Sequence, residues 1–159
     1  MLKTRVITAL VLIILLLPSL FYSSQAAWAL LVAGFIGIAA WEWGALLGWK
    51  AAARIVLGAT TALLCAGLSL LVPNAIGAGE VFAPAAPWVL LAYGLSAVFW
   101  CLAMPFWLKH KWSLQGVGGV LVGAIVLLPT WLAMVQLRAL GAGALLGIFA
   151  VVWMVKQWL

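Results

Sequence analysis

Apolar runs of about 17–22 residues recur along this chain, the length an α-helix needs to cross a hydrocarbon core about 30 Å thick. Short polar, proline or glycine stretches separate them. The first run extends from about Val6 to Phe21 and the second from about Ala27 to Leu47, with Tyr22-Ser23-Ser24-Gln25 between them. So short a connection predicts an antiparallel helical hairpin, with Trp28 at the outer end of its second helix and Trp49 at the inner end. A third run, Ile55 to Val72, is stopped by Pro73. The stretch from Asn74 to Pro87 has glycine, proline and Glu80 but no lysine or arginine, and reads as an irregular external loop. The fourth run, Trp88 to Leu108, ends in the basic and aromatic cluster Lys109-His110-Lys111-Trp112. The fifth, Gly116 to Gln136, opens on a glycine-dense face. Gly119 and Gly123 have the small-xxx-small spacing that permits close helix contact, against the plainer reading of incidental membrane glycine. Arg138 and Gly141 break the pattern, and Ala142 to Val155 is a last run only about 21 Å long, a short or incomplete span.

These runs predict an all-α, polytopic helical membrane protein of about six transmembrane helices, residues 1–159 forming a single transmembrane region. Continuous leucine-rich runs without two-residue alternation argue against a β-barrel. Composition agrees: 69% of residues are hydrophobic, 6% are charged, and mean hydropathy is +1.33, far from any soluble domain. The basic start, Met1 to Arg5, with Ser24-Gln25-Ala26 further on, has some likeness to a signal peptide. The apolar stretch is too long for one, however, and an uncleaved first span is expected.

Charge sets the orientation. With the N-terminus in the cytoplasm, Lys3, Arg5, Lys50, Arg54, Lys109, Lys111 and Lys156 fall inside and only Arg138 outside, so both ends are expected to be cytoplasmic. The net charge of +6 therefore reports topology, and no nucleic-acid partner is inferred from it. Cys65 and Cys101 fall inside apolar runs and read as small buried residues.

The chain is poor in groups that do chemistry. It has no aspartate, one histidine and two glutamates placed on different parts of the bilayer, so a two-metal carboxylate site cannot be assembled from it. No catalytic or metal residue is assigned to this chain. His110, between two lysines, reads as an interfacial residue. Glu42 stands out because a carboxylate within a span costs roughly 2.5–3.5 kcal/mol at the centre and seeks a partner. It lies between Trp41 and Trp43, whose indole rings favour the headgroup level. The hairpin brings Arg5 to a similar depth, so a structural ion pair between Arg5 and Glu42 is expected, with Lys3 and Arg54 as rivals.

Three blocks carry a resemblance: Leu2-Lys3-Thr4-Arg5-Val6-Ile7-Thr8-Ala9, Ala39-Ala40-Trp41-Glu42-Trp43, and Leu127-Leu128-Pro129-Thr130-Trp131-Leu132-Ala133. In order and spacing the chain resembles the N-terminal half of bacterial phosphatidate cytidylyltransferase, also called CDP-diacylglycerol synthase. The resemblance implies a nucleotidyltransferase of phospholipid biosynthesis in the bacterial inner membrane. It would take CTP and the membrane lipid phosphatidate, make CDP-diacylglycerol and pyrophosphate, and use Mg2+ held by aspartates of a C-terminal half. A homodimer is a candidate assembly. Val152-Trp153-Met154-Val155 fits the start of a family segment of the type Val-Trp-x-x-Asp-x-x-Ala-Tyr, but Lys156 stands at its aspartate. The expectation is a truncated or frameshifted, inactive form without the catalytic half. The alternative is a non-catalytic membrane assembly partner or a small transporter.

The ion pair can be tested by a double-substitution cycle. Removing one member leaves the other charge uncompensated, so Glu42→Gln and Arg5→Gln should each lower resistance to unfolding or proteolysis, and the double variant should recover part of that loss. Simple additivity would show that the two residues are not coupled.

Overall fold

The computed structural model describes residues 14–110 and 116–158. Every regular element among them is helical: α1 (14–22), α2 (Gln25–Leu46), α3 (Ala51–Leu71), α4 (Pro73–Ile76), α5 (Pro87–Val98), a π-helical turn (Phe99–Ala103), α6 (Met104–His110), α7 (Gly116–Leu140) and α8 (Ala142–Trp158). Among the described residues four helices are long and apolar enough to cross a membrane: α2, α3, the continuous rod Pro87–His110 and α7. The first expected span lies partly outside the described residues, and Arg5, Lys3, Lys111 and Trp112 lie wholly outside them. With 17 residues α8 is about 25 Å long, still short of the hydrocarbon thickness.

Local sequence explains the helix ends. Ser24 caps α2 by accepting the Ala27 N–H at 3.2 Å, which satisfies one of the orphan donors of the first turn. Leu47 and Gly48 close the other end, with Gly48 at φ 73, a left-handed conformation that glycine adopts without a Cβ clash. Pro73 ends α3 as expected but also opens α4, where its missing N–H is no loss. The supposed external loop is therefore anchored, since Ala75 and Ile76 are buried. Pro105 has no N–H for the carbonyl one turn back. The π turn immediately before it, closed by Met104 N–H on Phe99 O, takes up that disruption.

Helices α2 and α3 pack through small residues. A Cβ on Gly58 would lie 2.7 Å from Gly37 O and 3.1 Å from Trp41 Cβ, and one on Gly37 would meet Ala62 Cβ at 2.8 Å. Only glycine lets the two backbones approach this closely. Helix α7 lies antiparallel on another face of α2, joined to it by indole N–H groups: Trp131 donates to Ala29 O at 3.1 Å, Trp28 to Met134 O at 3.4 Å, and Trp43 to Gly119 O at 2.9 Å. Trp28, expected at the outer interface, is instead 1% exposed. Its apolar body fills the helix–helix contact while its N–H finds a carbonyl. The core, including Trp28, Val32, Ile76, Val89, Trp131 and Val135, gathers toward the end where α2 begins and α7 finishes.

That end also holds the polar side chains. Gln25 donates to Ile76 O at 2.7 Å and Val135 O at 2.8 Å. Gln136 donates to Ala75 O at 2.8 Å and accepts from Tyr93 Oη at 2.9 Å. Arg138, expected to interrupt the helix, lies within α7. Its guanidinium donates to Leu20 O at 3.0 Å, to Gln25 Oε1 at 2.8 Å and to Ser23 O, and sits 5.5 Å from the Trp28 ring. The helix continues through Arg138 because these acceptors satisfy the side chain where it stands; Gly141, at φ 137, makes the break. We call this the glutamine end. At the opposite, basic end lie Lys50, Arg54 and Lys109, since α2, α3, the rod and α7 alternate in direction.

Arg138→Met should strip donors from several partly buried carbonyls and cost about 2–4 kcal/mol, at roughly 1–3 kcal/mol for each unsatisfied group after partial relaxation. Arg138→Lys should recover only part of this, because an ammonium lacks the planar fork. Denaturant unfolding in detergent micelles reads both values, and an unchanged midpoint for Arg138→Met would contradict this role.

Candidate functional site

The Trp41-Glu42-Trp43 stretch is the last part of α2, and helical geometry turns its three side chains in three directions. Trp41 faces α3, where the Arg54 guanidinium lies 4.1 Å from its ring centroid and Nε donates to Trp41 O at 3.2 Å. This is the stacked geometry that favours arginine over an aromatic face. Trp43 faces α7. Its ring fills the space left by Gly123, where a Cβ would sit 2.7 Å from indole Nε1, and Gly119 gives the same room to Leu47. The Gly119/Gly123 spacing thus does bring two helices together. Glu42 points away from both contacts and is exposed. Arg54, one rival for Glu42, is engaged by Trp41, and the pairing with Arg5 remains a proposal because Arg5 lies outside the described residues.

Trp43 separates two clefts. One, of about 230 Å³, lies between α2, α3 and α7 and is lined by Ala40, Thr60, Thr61, Leu64, Gly123 and Leu127. The threonine hydroxyls there are already bonded to carbonyls of their own helix, Thr61 Oγ1 to Leu57 O at 2.8 Å and Thr60 Oγ1 to Val56 O at 2.8 Å. The other, of about 340 Å³, lies between the end of α2, the π turn with α6, and α7, and is lined by Leu47, Phe99, Trp100, Met104 and Trp107. Phe99 packs edge-on against Trp100 and Trp107, with centroids 5.6 and 6.4 Å away. Cys65 is buried as expected. Cys101, expected to be buried, is exposed, because it lies on a rod most of whose residues face outward.

Such clefts can hold apolar chains, but they offer no acid, base or nucleophile. Among the described residues no three His, Cys, Asp or Glu side chains come together, so these residues do not fit a Mg2+ site, and no chemical step can be routed through one here. Over 160 aligned positions the chain is 34% identical to the phosphatidate cytidylyltransferase of Pseudomonas aeruginosa, an alignment covering 96% of this chain and 54% of that protein. The chain is related to phosphatidate cytidylyltransferase. It spans about half the length of that cytidylyltransferase. No family model matches the chain, and no solved structure matches it.

Gln25 in the predicted turn, Gln136 at the predicted end of the fifth span and Arg138 at the predicted break after it form a network that their places along the chain do not reveal. Their signal was present: two amides and a guanidinium bordering apolar spans must find partners inside the protein. What was not legible was which carbonyls they would reach.

Proposed function

We propose that this chain is the membrane-embedded part of a CTP:phosphatidate cytidylyltransferase, an enzyme that transfers a cytidylyl group from CTP to phosphatidate and releases pyrophosphate. The observation that carries this reading is identity of 34% sustained over 96% of the chain. The apolar helices suit an enzyme whose lipid substrate and product stay in the bilayer. The residues themselves supply a frame and clefts, and a chain without aspartate holds no metal-binding pair to stabilise the charge that develops on a transferring phosphoryl group. We therefore read these 159 residues as inactive by themselves and assign them no Mg2+- or CTP-binding role. A bacterial inner-membrane location and a homodimeric assembly belong to the same proposal. Purified chain supplied with CTP, phosphatidate and magnesium should release no pyrophosphate above background. Co-expression with the remaining part of the Pseudomonas relative should give turnover. Turnover by the chain alone would refute its inactivity, and none in the paired sample would favour a non-catalytic membrane partner or small transporter.

The finer topology is six spans with both ends cytoplasmic. It is supported by the gathering of Lys50, Arg54 and Lys109 at one end of the bundle, opposite Arg138. Glu80 precedes the rod and Lys109 lies near its far end, roughly 35 Å along the axis. In a background without Cys65 and Cys101, Glu80→Cys and Lys109→Cys should react with an impermeant maleimide from opposite faces of the membrane. Reaction of both from one face would overturn the arrangement.

A further inference from the structure

The rod Pro87–His110 contains two adjacent irregularities that the proposed function leaves unused. In the π turn the Met104 N–H closes on Phe99 O, one residue further back than in an α-helix. At the next position Pro105 has no N–H to give to the carbonyl one turn back. Two consecutive steps of the backbone ladder are altered, and the rod resists bending least at this point.

The chain on either side of it is held differently. Upstream, Val89 is buried and Tyr93 Oη donates to Gln136 Oε1 at 2.9 Å, which fixes α5 to α7. Phe99 is the last buried residue of the rod. Downstream, no side chain of α6 is buried, and among the described residues α6 packs chiefly on the π turn. The Trp107 ring meets Phe99 edge-on with centroids 6.4 Å apart. Aromatic pairs attract over a range of about 4.5–7 Å, so Trp107 can shift on Phe99 without losing the contact.

The larger cleft has a matching asymmetry. The π turn and α6 form one wall of this space of about 340 Å³, through Trp100, Met104 and Trp107. The facing wall is fixed, because Trp43 donates to Gly119 O at 2.9 Å and Leu47 occupies the room left by Gly119. Leu46, at 78% exposed, marks the open side of the cleft. Between apolar surfaces in hydrocarbon there is little hydrophobic driving force. A cleft filled by the surrounding bilayer and one filled by the protein's own side chains therefore differ little in free energy, which is the condition for two populated arrangements.

We propose that α6 is a hinged arm. It turns about the π turn and Pro105 between the open arrangement of the structure and a closed one, in which Met104 and Trp107 pack on Leu47 and Val126. With seven residues α6 is about 10 Å long, so a turn of about 30° carries its far end about 5 Å. Closure removes the opening of the cleft toward the bilayer, while α5 stays in place on α7. The device needs neither CTP nor phosphatidate, so it stands or falls independently of the cytidylyl-transfer reading.

The test is double electron–electron resonance on the full chain in lipid nanodiscs, in a background without Cys65 and Cys101. Nitroxides at Leu108→Cys and Val117→Cys, both exposed positions, report the arm against the start of α7. Nitroxides at Leu91→Cys and Leu140→Cys, also exposed, report the anchored half. The first pair should give two distance populations about 5 Å apart, and the second pair one. Val126→Phe, which occupies the space needed for closure, should remove the shorter population of the first pair and leave the second pair unchanged. Pro105→Ala, which restores the missing N–H and stiffens the hinge, should leave the first pair with a single population. One population for the first pair in the unsubstituted rod, or two that persist in a folded Val126→Phe or Pro105→Ala chain, would overturn the proposal. A continuous spread of distances indifferent to Val126→Phe would be fraying of the helix end, and would overturn it equally.

Discussion

A guanidinium near hydrocarbon needs acceptors, and the last carbonyls of a helix near hydrocarbon need donors; in this protein one contact answers both demands. Arg138 reaches from α7 to the closing carbonyls of α1, at Leu20 and Ser23, and to Gln25 Oε1. A cation at a helix C-terminus is also favoured by the macrodipole. The amide of Gln25, oriented by Arg138, then spends its N–H groups on Ile76 O and Val135 O, while Gln136 binds Ala75 O and Tyr93. Five segments that no apolar contact would fix in register are tied together by polar groups whose other option is to stay unsatisfied in a medium without water. No buried side-chain nitrogen or oxygen among the described residues lacks a partner.

The same economy governs α2 and α7. Between two helices in lipid there is little hydrophobic driving force, and association rests on packing and hydrogen bonds. Each indole contributes both, a large flat surface and one donor aimed at a carbonyl that is already in a helix but has a second lone pair. Trp28 and Trp131 do this at the glutamine end and Trp43 at the basic end. The glycines decide where the backbones can close. Gly119 and Gly123 admit Leu47 and Trp43, while Gly37 and Gly58 bring α3 against the same helix. Pro129 sits buried inside α7, where neighbouring helices make such a break in the ladder tolerable.

Much of this architecture was legible in the sequence, because run length and charge are coarse signals that a bilayer enforces strongly. The runs beginning near Ala27, Ile55, Trp88 and Gly116 correspond to the four helices long enough to cross, and the Gly119/Gly123 spacing marked a true contact. The sequence misled where a residue had two physically sound uses. Trp28 and Trp43 read as interfacial anchors because indole suits the headgroup level, yet the same ring suits a helix seam with a free carbonyl. Arg138 read as a breaker because charge ends spans, yet with acceptors in reach it stays within one. Pro73 read only as a stop, although a proline that ends one helix can begin the next. In each case the deciding partner lay on a different helix, and spacing along one segment carries no information about it. The candidate site was less legible still: the Trp41-Glu42-Trp43 stretch could be located, but the clefts depend on how the π turn and Gly123 are set against it.

The two ends of the bundle divide the work. At the glutamine end the core residues cluster and the polar side chains find partners. At the basic end α5 has given way to the π turn and α6, and α6 packs mainly on that turn, with little contact to α7. The cause is local, since Pro105 prevents an unbroken helix and the widened turn shifts the register of every residue after it. The rod is thus held to α7 through Val89 and the Tyr93–Gln136 bond, and is free to diverge beyond Phe99. Stability concentrated at one end permits open space at the other, because a cavity costs least where few contacts depend on its being filled. Trp43 is the exception that makes the arrangement work. Bonded across to Gly119 O of α7, it keeps α2 and α7 together while leaving a cleft on each side of its ring.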